Sequence, residues 1–227
     1  MPAIRPRIGV SWIAPDEAET DLLVQAVREA GGNPVPLLTT EPEWTTAIRT
    51  LRGLVLSGGN AVDPRRYGHV NEGLCRTVIP ERDALEYEAF EFCRDRHLPI
   101  LGVCRGHQFV NVSCGGSMLQ DLTITTVEHE ATGSPSVFHG VTITPGTRLA
   151  ALAGARQVQV NSRHHQGLRA EHMAAGLRIT AVAADGVVEG IEAMDGRFLV
   201  GIQFHPERPG EVPEMVGIFR LLVDAAR

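Results

Sequence analysis

Cysteines and long apolar runs are both scarce in this 227-residue sequence, and each scarcity excludes a class of protein. The four cysteines, none spaced as CxxC, are too few for the dense disulfide framework of a small secreted protein. The apolar run near the N-terminus is cut by Pro15 and acidic residues before it reaches the length of a signal sequence. No later run is long enough to span a membrane. We therefore expect a cytoplasmic protein with no membrane segment.

An excess of positive charge is also absent. The formal net charge is −6 and both signs are scattered along the chain, so no basic stripe exists that would neutralise a run of phosphates. We therefore expect no nucleic-acid partner. The nine histidines include the pair His164-His165, but neither an HExxH motif nor a Cys/His ligand spacing occurs. On this pattern we predict no metal site.

The order of apolar segments predicts an α/β fold. Apolar residues make up 43% of the chain, as in ordinary globular proteins, and no linker interrupts it, so we expect one domain over residues 1–227. The first half alternates strands with amphipathic helices, which predicts a mostly parallel sheet with helices on both faces. The second half is richer in strands and predicts an antiparallel extension. The predicted strands are 8–12, 35–37, 53–56, 100–103, 141–143, 157–160, 177–183, 187–193 and 198–204, and the predicted helices are 21–30, 44–51, 81–96, 107–115 and 212–226.

One cysteine has the sequence setting of a nucleophile. Cys104 comes directly after the apolar strand 100–103 and lies between Gly102 and Gly106, in a G-x-C-x-G pattern followed by a helix. Glycines on both sides permit a sharp strand-to-helix turn, and the helix N-terminus favours the reactive thiolate. An isolated cysteine is more often a small buried apolar residue. The two glycines favour the nucleophile here, whereas the other three cysteines lack this setting.

A base and a partner for it follow the last predicted strand. His205 is placed where a second strand end would meet the same cleft, and Glu207 is close enough to accept the other ring N–H. These residues alone are equally compatible with a solvent-facing loop histidine. The elbow around Cys104 decides in favour of a Cys–His–Glu triad.

Together these motifs resemble the class I glutamine amidotransferases, and within them the γ-glutamyl-γ-aminobutyrate hydrolase-like (peptidase C26) group. The resemblance covers nearly the whole chain and implies a flavodoxin-like, three-layer αβα fold with a mostly parallel central sheet and an antiparallel extension. Its motifs lie at residues 56–60, 63–64, 67–68, 81–83, 102–108, 111, 115–117, 120–122, 160–166, 185–189 and 201–207.

The resemblance also implies roles for individual residues. Cys104 is implied as the nucleophile, His205 as the base and Glu207 as its partner. An oxyanion hole is implied from backbone N–H groups, and contacts to the glutamyl end of the substrate from three polar side chains. The implied oxyanion-hole residues are Gly58, Gly59 and Arg105, and the implied substrate contacts are Gln108, Ser162 and His164.

Several functions remain open on this sequence. The leading one is hydrolysis of the γ-glutamyl amide bond of a small γ-glutamylated amine or amino acid, without metal or organic cofactor. The alternative is a glutaminase subunit that delivers ammonia to a separate synthetase partner, and a third is a binding module on the same fold. Two departures from the family pattern, Phe204 in place of Trp and a short 127–139 loop, leave the amine unidentified. The oligomeric state, a homodimer included, also stays open.

Overall fold

A computed structural model describes residues 5–12, 17–40, 43–122, 125–131 and 135–227. Pro15 and part of the 127–139 loop therefore lie outside the described residues. The described strands are Arg7–Trp12 (β1), Asn33–Leu38 (β2), Gly53–Leu56 (β3), Ile100–Val103 (β4), Val137–Ile143 (β5), Gln157–Ser162 (β6), Leu177–Ala183 (β7), Val188–Ala193 (β8) and Leu199–Ile202 (β9). The described helices are Glu17–Glu29 (α1), Trp44–Ile48 (α2), Pro80–Asp95 (α3), Arg105–Ser113 (α4), Arg148–Ala153 (α5) and Gly217–Ala225 (α6).

In the described part of the chain these strands form a nine-stranded sheet in the order β2-β1-β3-β4-β9-β8-β7-β5-β6. The contacts from β2 through β9 are parallel, and those from β9 through β6 are antiparallel. Strands β3, β4 and β9 are fully buried, as expected for parallel strands covered on both faces. The predicted parallel sheet with an antiparallel extension is confirmed.

Helices cover both faces of this sheet. Helices α1, α5 and α6 pack around one apolar cluster that includes Val27, Leu149 and Phe219. Helices α2, α3 and α4 pack around a second cluster on the other face, which includes Phe90 and Phe109. The arrangement is the expected three-layer αβα fold. Among the described helices, none combines the length and the hydropathy needed to cross a membrane.

Local sequence features explain the edge position of β2 and the ends of a helix that was not predicted. Strand β2 contains two prolines, which an edge strand tolerates because one row of its backbone groups has no ladder partner. Helix α5 was not predicted, because its alanine-rich sequence was interpreted as uninformative. Its ends carry ordinary signals: the Thr147 side chain accepts a hydrogen bond from Ala150 N, and Gly154 ends the helix at φ 62°.

Candidate active site

Cys104 occupies a strained turn between β4 and α4. Its φ is 53° and its ψ −106°, a conformation that non-glycine residues rarely adopt. A Cβ on Gly102 would lie 2.3 Å from the carbonyl oxygen of Gly106, and a Cβ on Gly106 would lie 2.1 Å from that of Leu56. No side chain fits at either position, so the two glycines are required for the turn. The structure thus contains the elbow that the sequence predicts.

The sheet brings His205 to the same edge as Cys104. Strands β4 and β9 are parallel neighbours, and the backbone N–H of Cys104 donates to the carbonyl of Ile202 at 2.8 Å. A Cβ on Gly58 would lie 3.1 Å from His205 Cε1 and 3.9 Å from Cys104 Sγ. The thiol and the imidazole therefore both face the Gly58 backbone.

Glu207 and Asn161 fix the position of His205. The Nδ1 atom of His205 is 2.6 Å from Glu207 Oε1. Asn161, at the end of β6, accepts a hydrogen bond from His205 N at 2.7 Å and donates one to the His205 carbonyl at 2.9 Å. The side chains of His205 and Glu207 are nearly inaccessible to solvent. The role of Asn161 was missed from the sequence, because it depends on a contact between distant strands.

The charges around His205 favour its protonated form. Burial disfavours the imidazolium, but its interactions with the carboxylate of Glu207 and with Cys104 more than compensate. The pKa of His205 consequently lies well above its ordinary value. A histidine in this state can donate a proton to a departing amine.

The predicted oxyanion hole lies around the same thiol. Gly58 and Gly59 follow β3, and Gly59 has a φ of 118°, which only glycine adopts readily. Arg105 is the first residue of α4, so its N–H has no acceptor within the helix. Backbone N–H groups in such positions can stabilise a developing oxyanion. This role remains a prediction.

A buried network of charged side chains from α3 contacts both the Gly58 turn and Arg105 at the start of α4. The guanidinium of Arg82 donates to the carbonyl oxygens of Ser57 at 3.0 Å and of Gly58 at 2.7 Å, and to Glu86 at 2.8 Å. The side chain of Arg105 pairs with Asp83 and Glu86. Burial, reinforced by the neighbouring Arg105, lowers the pKa of Arg82 to about 10.

The sequence pattern does not predict this network. Residues 81–83 were recognised as a family motif, but apolar periodicity cannot indicate that charged residues face inward. The signal available was the placement of Arg82 and Glu86 four residues apart on a helix whose other inward residues, apart from Asp83, are apolar.

The three predicted substrate contacts are buried and bonded within the protein. Gln108 donates to the carbonyl of Gln166 at 3.0 Å and to the side chain of Gln203 at 3.1 Å. Ser162 donates to the carbonyl of His129 at 2.7 Å, and Nδ1 of His164 is 2.9 Å from the carbonyl of Gln166. Gln108 and His164 thus share one acceptor. Contact of these residues with a substrate remains a prediction.

Four side chains next to this loop could hold a metal ion. The ligand atoms of His129, His139, His164 and Glu189 all lie within 4.8 Å of one another, and all four residues are buried. Sequence spacing did not reveal them, because each comes from a different segment. His164 therefore belongs to this group as well as to the predicted substrate loop.

Phe204 and the remaining cysteines pack within the structure. Phe204 is fully buried in the apolar cluster that also contains Cys104. Cys75 and Cys93 are buried, Cys114 is half-buried, and all four cysteines are free thiols. Burial raises the pKa of Cys93 to about 12 and that of Cys114 to about 11.

Known proteins resemble this chain in sequence, and known structures resemble it in fold. Protein NtpR of Enterococcus hirae is 37% identical over 191 residues, which cover 81% of this chain and 79% of that protein. The γ-glutamyl-γ-aminobutyrate hydrolase PuuD of Escherichia coli (strain K12) is 32% identical over 199 residues, which cover 81% and 76%. The structure of a glutamine amidotransferase from Thermotoga maritima matches with a TM-score of 0.63 at 16% identity, covering 99% of this chain and 91% of the other.

The architecture is therefore that of the class I glutamine amidotransferases. The family model of peptidase C26 matches residues 11–207, which is most of the chain. The protein belongs to the peptidase C26 family, and the predicted resemblance is confirmed.

Proposed function

We propose that this protein hydrolyses the γ-glutamyl amide bond of a small γ-glutamylated amine or amino acid, through a thioester on Cys104. The observation that carries the proposal is the strained turn that holds Cys104 beside the His205–Glu207 pair. Strain of this kind persists only where the surrounding structure enforces it, and it is concentrated at functional sites. Membership of the peptidase C26 family and the identity to PuuD support the same substrate class.

The proposed chemistry has two stages. The Cys104 thiolate attacks the γ-carbonyl carbon, and the oxyanion is held by N–H groups of the Gly58–Gly59 turn and Arg105. His205 then donates its proton to the leaving nitrogen, the C–N bond breaks, and a γ-glutamyl thioester remains. Neutral His205 next takes a proton from water, which attacks the thioester carbonyl. The C–S bond breaks and glutamate leaves.

Glu207 acts through His205 and does not touch the substrate in this scheme. Its 2.6 Å contact with Nδ1 keeps the hydrogen on that nitrogen, so that Nε2 is the atom available for proton transfer. The buried carboxylate also stabilises the imidazolium that is present before the first stage and that forms again during the second.

The second candidate is a glutaminase that passes ammonia to a separate synthetase. It uses the same triad, and its supporting observation is the fold shared with a glutamine amidotransferase over nearly the whole chain. The two candidates differ in the leaving group, which is ammonia from glutamine in one and a larger amine in the other. The isolated chain should release glutamate from larger γ-glutamyl amines if the first proposal is correct.

The decisive experiment measures glutamate release from a panel of γ-glutamyl amides that includes glutamine. We expect turnover of at least one amine-bearing member, and none above background in Cys104→Ala. Cys114→Ala is the matched control, because Cys114 is a free, half-buried thiol that lies at the end of α4, away from the elbow. Undiminished turnover in Cys104→Ala would refute the mechanism, and turnover of glutamine alone would favour the second candidate.

A further inference from the structure

Three histidines and a glutamate converge in the antiparallel half of the sheet. His139 is on β5, His164 is the second residue after β6, Glu189 is on β8, and His129 lies in the loop that precedes β5. The exposed fractions of these residues are 3% for His129, 7% for His139, 4% for His164 and 0% for Glu189. Nothing in the proposed hydrolytic mechanism requires this group.

The distances from Glu189 to the three histidines match those between ligands of a tetrahedral metal ion. Glu189 Oε1 is 3.4 Å from His129 Nδ1, 3.6 Å from His139 Nε2 and 3.5 Å from His164 Nε2. Metal–ligand bonds of about 2.0–2.1 Å in a tetrahedron separate the ligand atoms by about 3.3–3.4 Å. The observed separations are longer than ordinary hydrogen bonds. Glu189 is thus spaced from each histidine as two ligands of one ion are, and all four ligand atoms lie within 4.8 Å of one another.

These ligand atoms also lack hydrogen-bond partners. Within the described residues, no partner at hydrogen-bond geometry exists for His129 Nδ1, His139 Nε2, His164 Nε2 or either carboxylate oxygen of Glu189. The nearest groups to the buried carboxylate are the three histidine nitrogens at 3.4–3.6 Å, and natural proteins pair such a carboxylate with a positive charge or bind metals with it. A positive charge among these rings, carried by a proton or by a metal ion, would therefore stabilise the group.

Contacts on the outer side of two histidines set their tautomers. Nε2 of His129 is 2.9 Å from Asp185 Oδ2, and Nδ1 of His164 is 2.9 Å from the carbonyl oxygen of Gln166. Since these oxygens only accept, the outer nitrogens carry the hydrogens, and lone pairs on the inner nitrogens point toward Glu189. Histidines that bind metals are held in this way by a carboxylate or a carbonyl.

A proton is the simplest alternative to a metal ion. If His129 were protonated on both nitrogens, it would lie between the carboxylates of Asp185 and Glu189. That arrangement would leave the inner nitrogens of His139 and His164 without a partner. A divalent cation satisfies all four ligand atoms at once.

We propose that His129, His139, His164 and Glu189 bind one divalent first-row transition-metal ion such as Zn²⁺. Imidazole nitrogens favour Zn²⁺ and similar first-row ions over Mg²⁺ or Ca²⁺. Four protein ligands leave no open position on a tetrahedral ion, which is the pattern of a structural site. A cleft lined in part by Thr125, Val127 and His165 reaches His129 and His164, and provides a route for the ion.

The site joins the antiparallel strands to the predicted substrate loop. The carbonyl of Gln166 that orients His164 also accepts from Gln108, which lies on α4 one turn beyond Cys104. An ion bound to His164 would therefore stabilise the loop next to the thiol without contacting the substrate. The metal proposal does not depend on the hydrolase proposal.

The test measures metal binding by the untagged full chain, without an activity assay. The chain is stripped with a chelator, titrated with Zn²⁺ by calorimetry, and separately loaded with Co²⁺ for visible spectroscopy. We expect one Zn²⁺ per chain, a higher melting temperature on binding, and the intense d–d absorption of tetrahedral Co²⁺. His139→Gln should abolish this binding, and since neither ring nitrogen of His139 makes a hydrogen bond within the described residues, the variant should still fold.

Two further variants make the result specific. Asp185→Asn should weaken Zn²⁺ binding about 10–100-fold, because it alters the group that orients His129. His69→Gln, at an exposed histidine outside the group, should bind Zn²⁺ as the unaltered chain does. The proposal is wrong if the unaltered chain shows no stoichiometric Zn²⁺ binding, or if His139→Gln binds as tightly as His69→Gln.

Discussion

The two halves of the sheet assemble their chemistry in different ways. In the parallel half, Cys104 and His205 meet because each follows one of two adjacent strands, β4 and β9, at the same sheet edge. In the antiparallel half, the group around Glu189 is collected from a loop and three strand regions far apart in sequence. The first arrangement follows a general rule for parallel sheets, whereas the second depends on the particular register of the strands.

Because of this difference, substitutions in the two halves of the sheet should affect turnover and stability differently. Substitutions at the parallel edge should affect turnover or the stability of the elbow. Substitutions in the antiparallel half should affect neither strongly, except in the histidine–glutamate group and at Asn161 and Ser162 at the end of β6. The following predictions test this division, from the largest expected effect to the smallest.

Glu207→Gln should cause the largest loss among these changes. The amide can no longer hold the imidazolium or the correct tautomer of His205, so kcat on a γ-glutamyl amide should fall by about 10⁴-fold. Glu214→Gln, at an exposed position before α6, is the matched control and should leave kcat unchanged. A loss smaller than tenfold in Glu207→Gln would remove Glu207 from the mechanism.

Arg82→Met should destabilise the protein by about 3–5 kcal/mol, because it breaks a buried ion pair and leaves two backbone carbonyls without their donor. Urea unfolding measures the effect. Arg94→Met on the same helix removes a partly exposed pair with Glu91 and should cost at most about 1 kcal/mol. Equal losses in the two variants would mean that the buried network does not support the elbow.

Gly106→Ala should destabilise the elbow, since its Cβ would lie 2.1 Å from the backbone oxygen of Leu56. We expect a loss of about 1–3 kcal/mol or more, measured by urea unfolding, together with reduced turnover. Gly140→Ala in β5 is the comparison from the other half of the sheet. Its Cβ would lie 3.6 Å from Gln159 Nε2, an ordinary contact, so stability should barely change. A Gly106→Ala protein as stable as Gly140→Ala would contradict the geometry of the turn.

The pH dependence of stability should reveal the raised pKa of His205. Burial opposes the imidazolium, but Glu207 and Cys104 raise the pKa above its unfolded value of about 6.5. The resulting stabilisation should be fully present below that value and should be lost as the pH rises through the higher folded pKa. The difference in unfolding free energy between the unaltered chain and His205→Gln should therefore shrink with rising pH. A difference that does not change with pH would argue against a raised pKa.

Much of the parallel half could be predicted from the sequence. Continuous apolar runs mark its buried strands, and the two glycines beside Cys104 mark the elbow, because a Cβ on Gly102 would clash with the turn itself and one on Gly106 with the adjacent strand β3. The fold class and the triad follow from these signals and from the order of the motifs. The structure places Cys104, His205 and Glu207 together as expected, and their catalytic roles remain to be tested.

Other features could not be predicted because they depend on tertiary contacts. The inward charges of Arg82 and Glu86 make sense only once Arg105 and the Gly58 carbonyl are seen beside them. The histidine–glutamate group has no characteristic spacing along the chain, so the sequence pattern predicts no metal site, which is the opposite of the proposal made from the structure. Helix α5 did carry end signals, and these were overlooked in an alanine-rich segment.

The most direct test of the central claim is mass spectrometry of the acid-quenched enzyme during turnover of a γ-glutamyl amide. The account predicts a γ-glutamyl adduct on the peptide that contains Cys104, present in the unaltered chain and in Cys114→Ala, and absent from Cys104→Ala. An adduct on another residue, or steady turnover by Cys104→Ala, would contradict it.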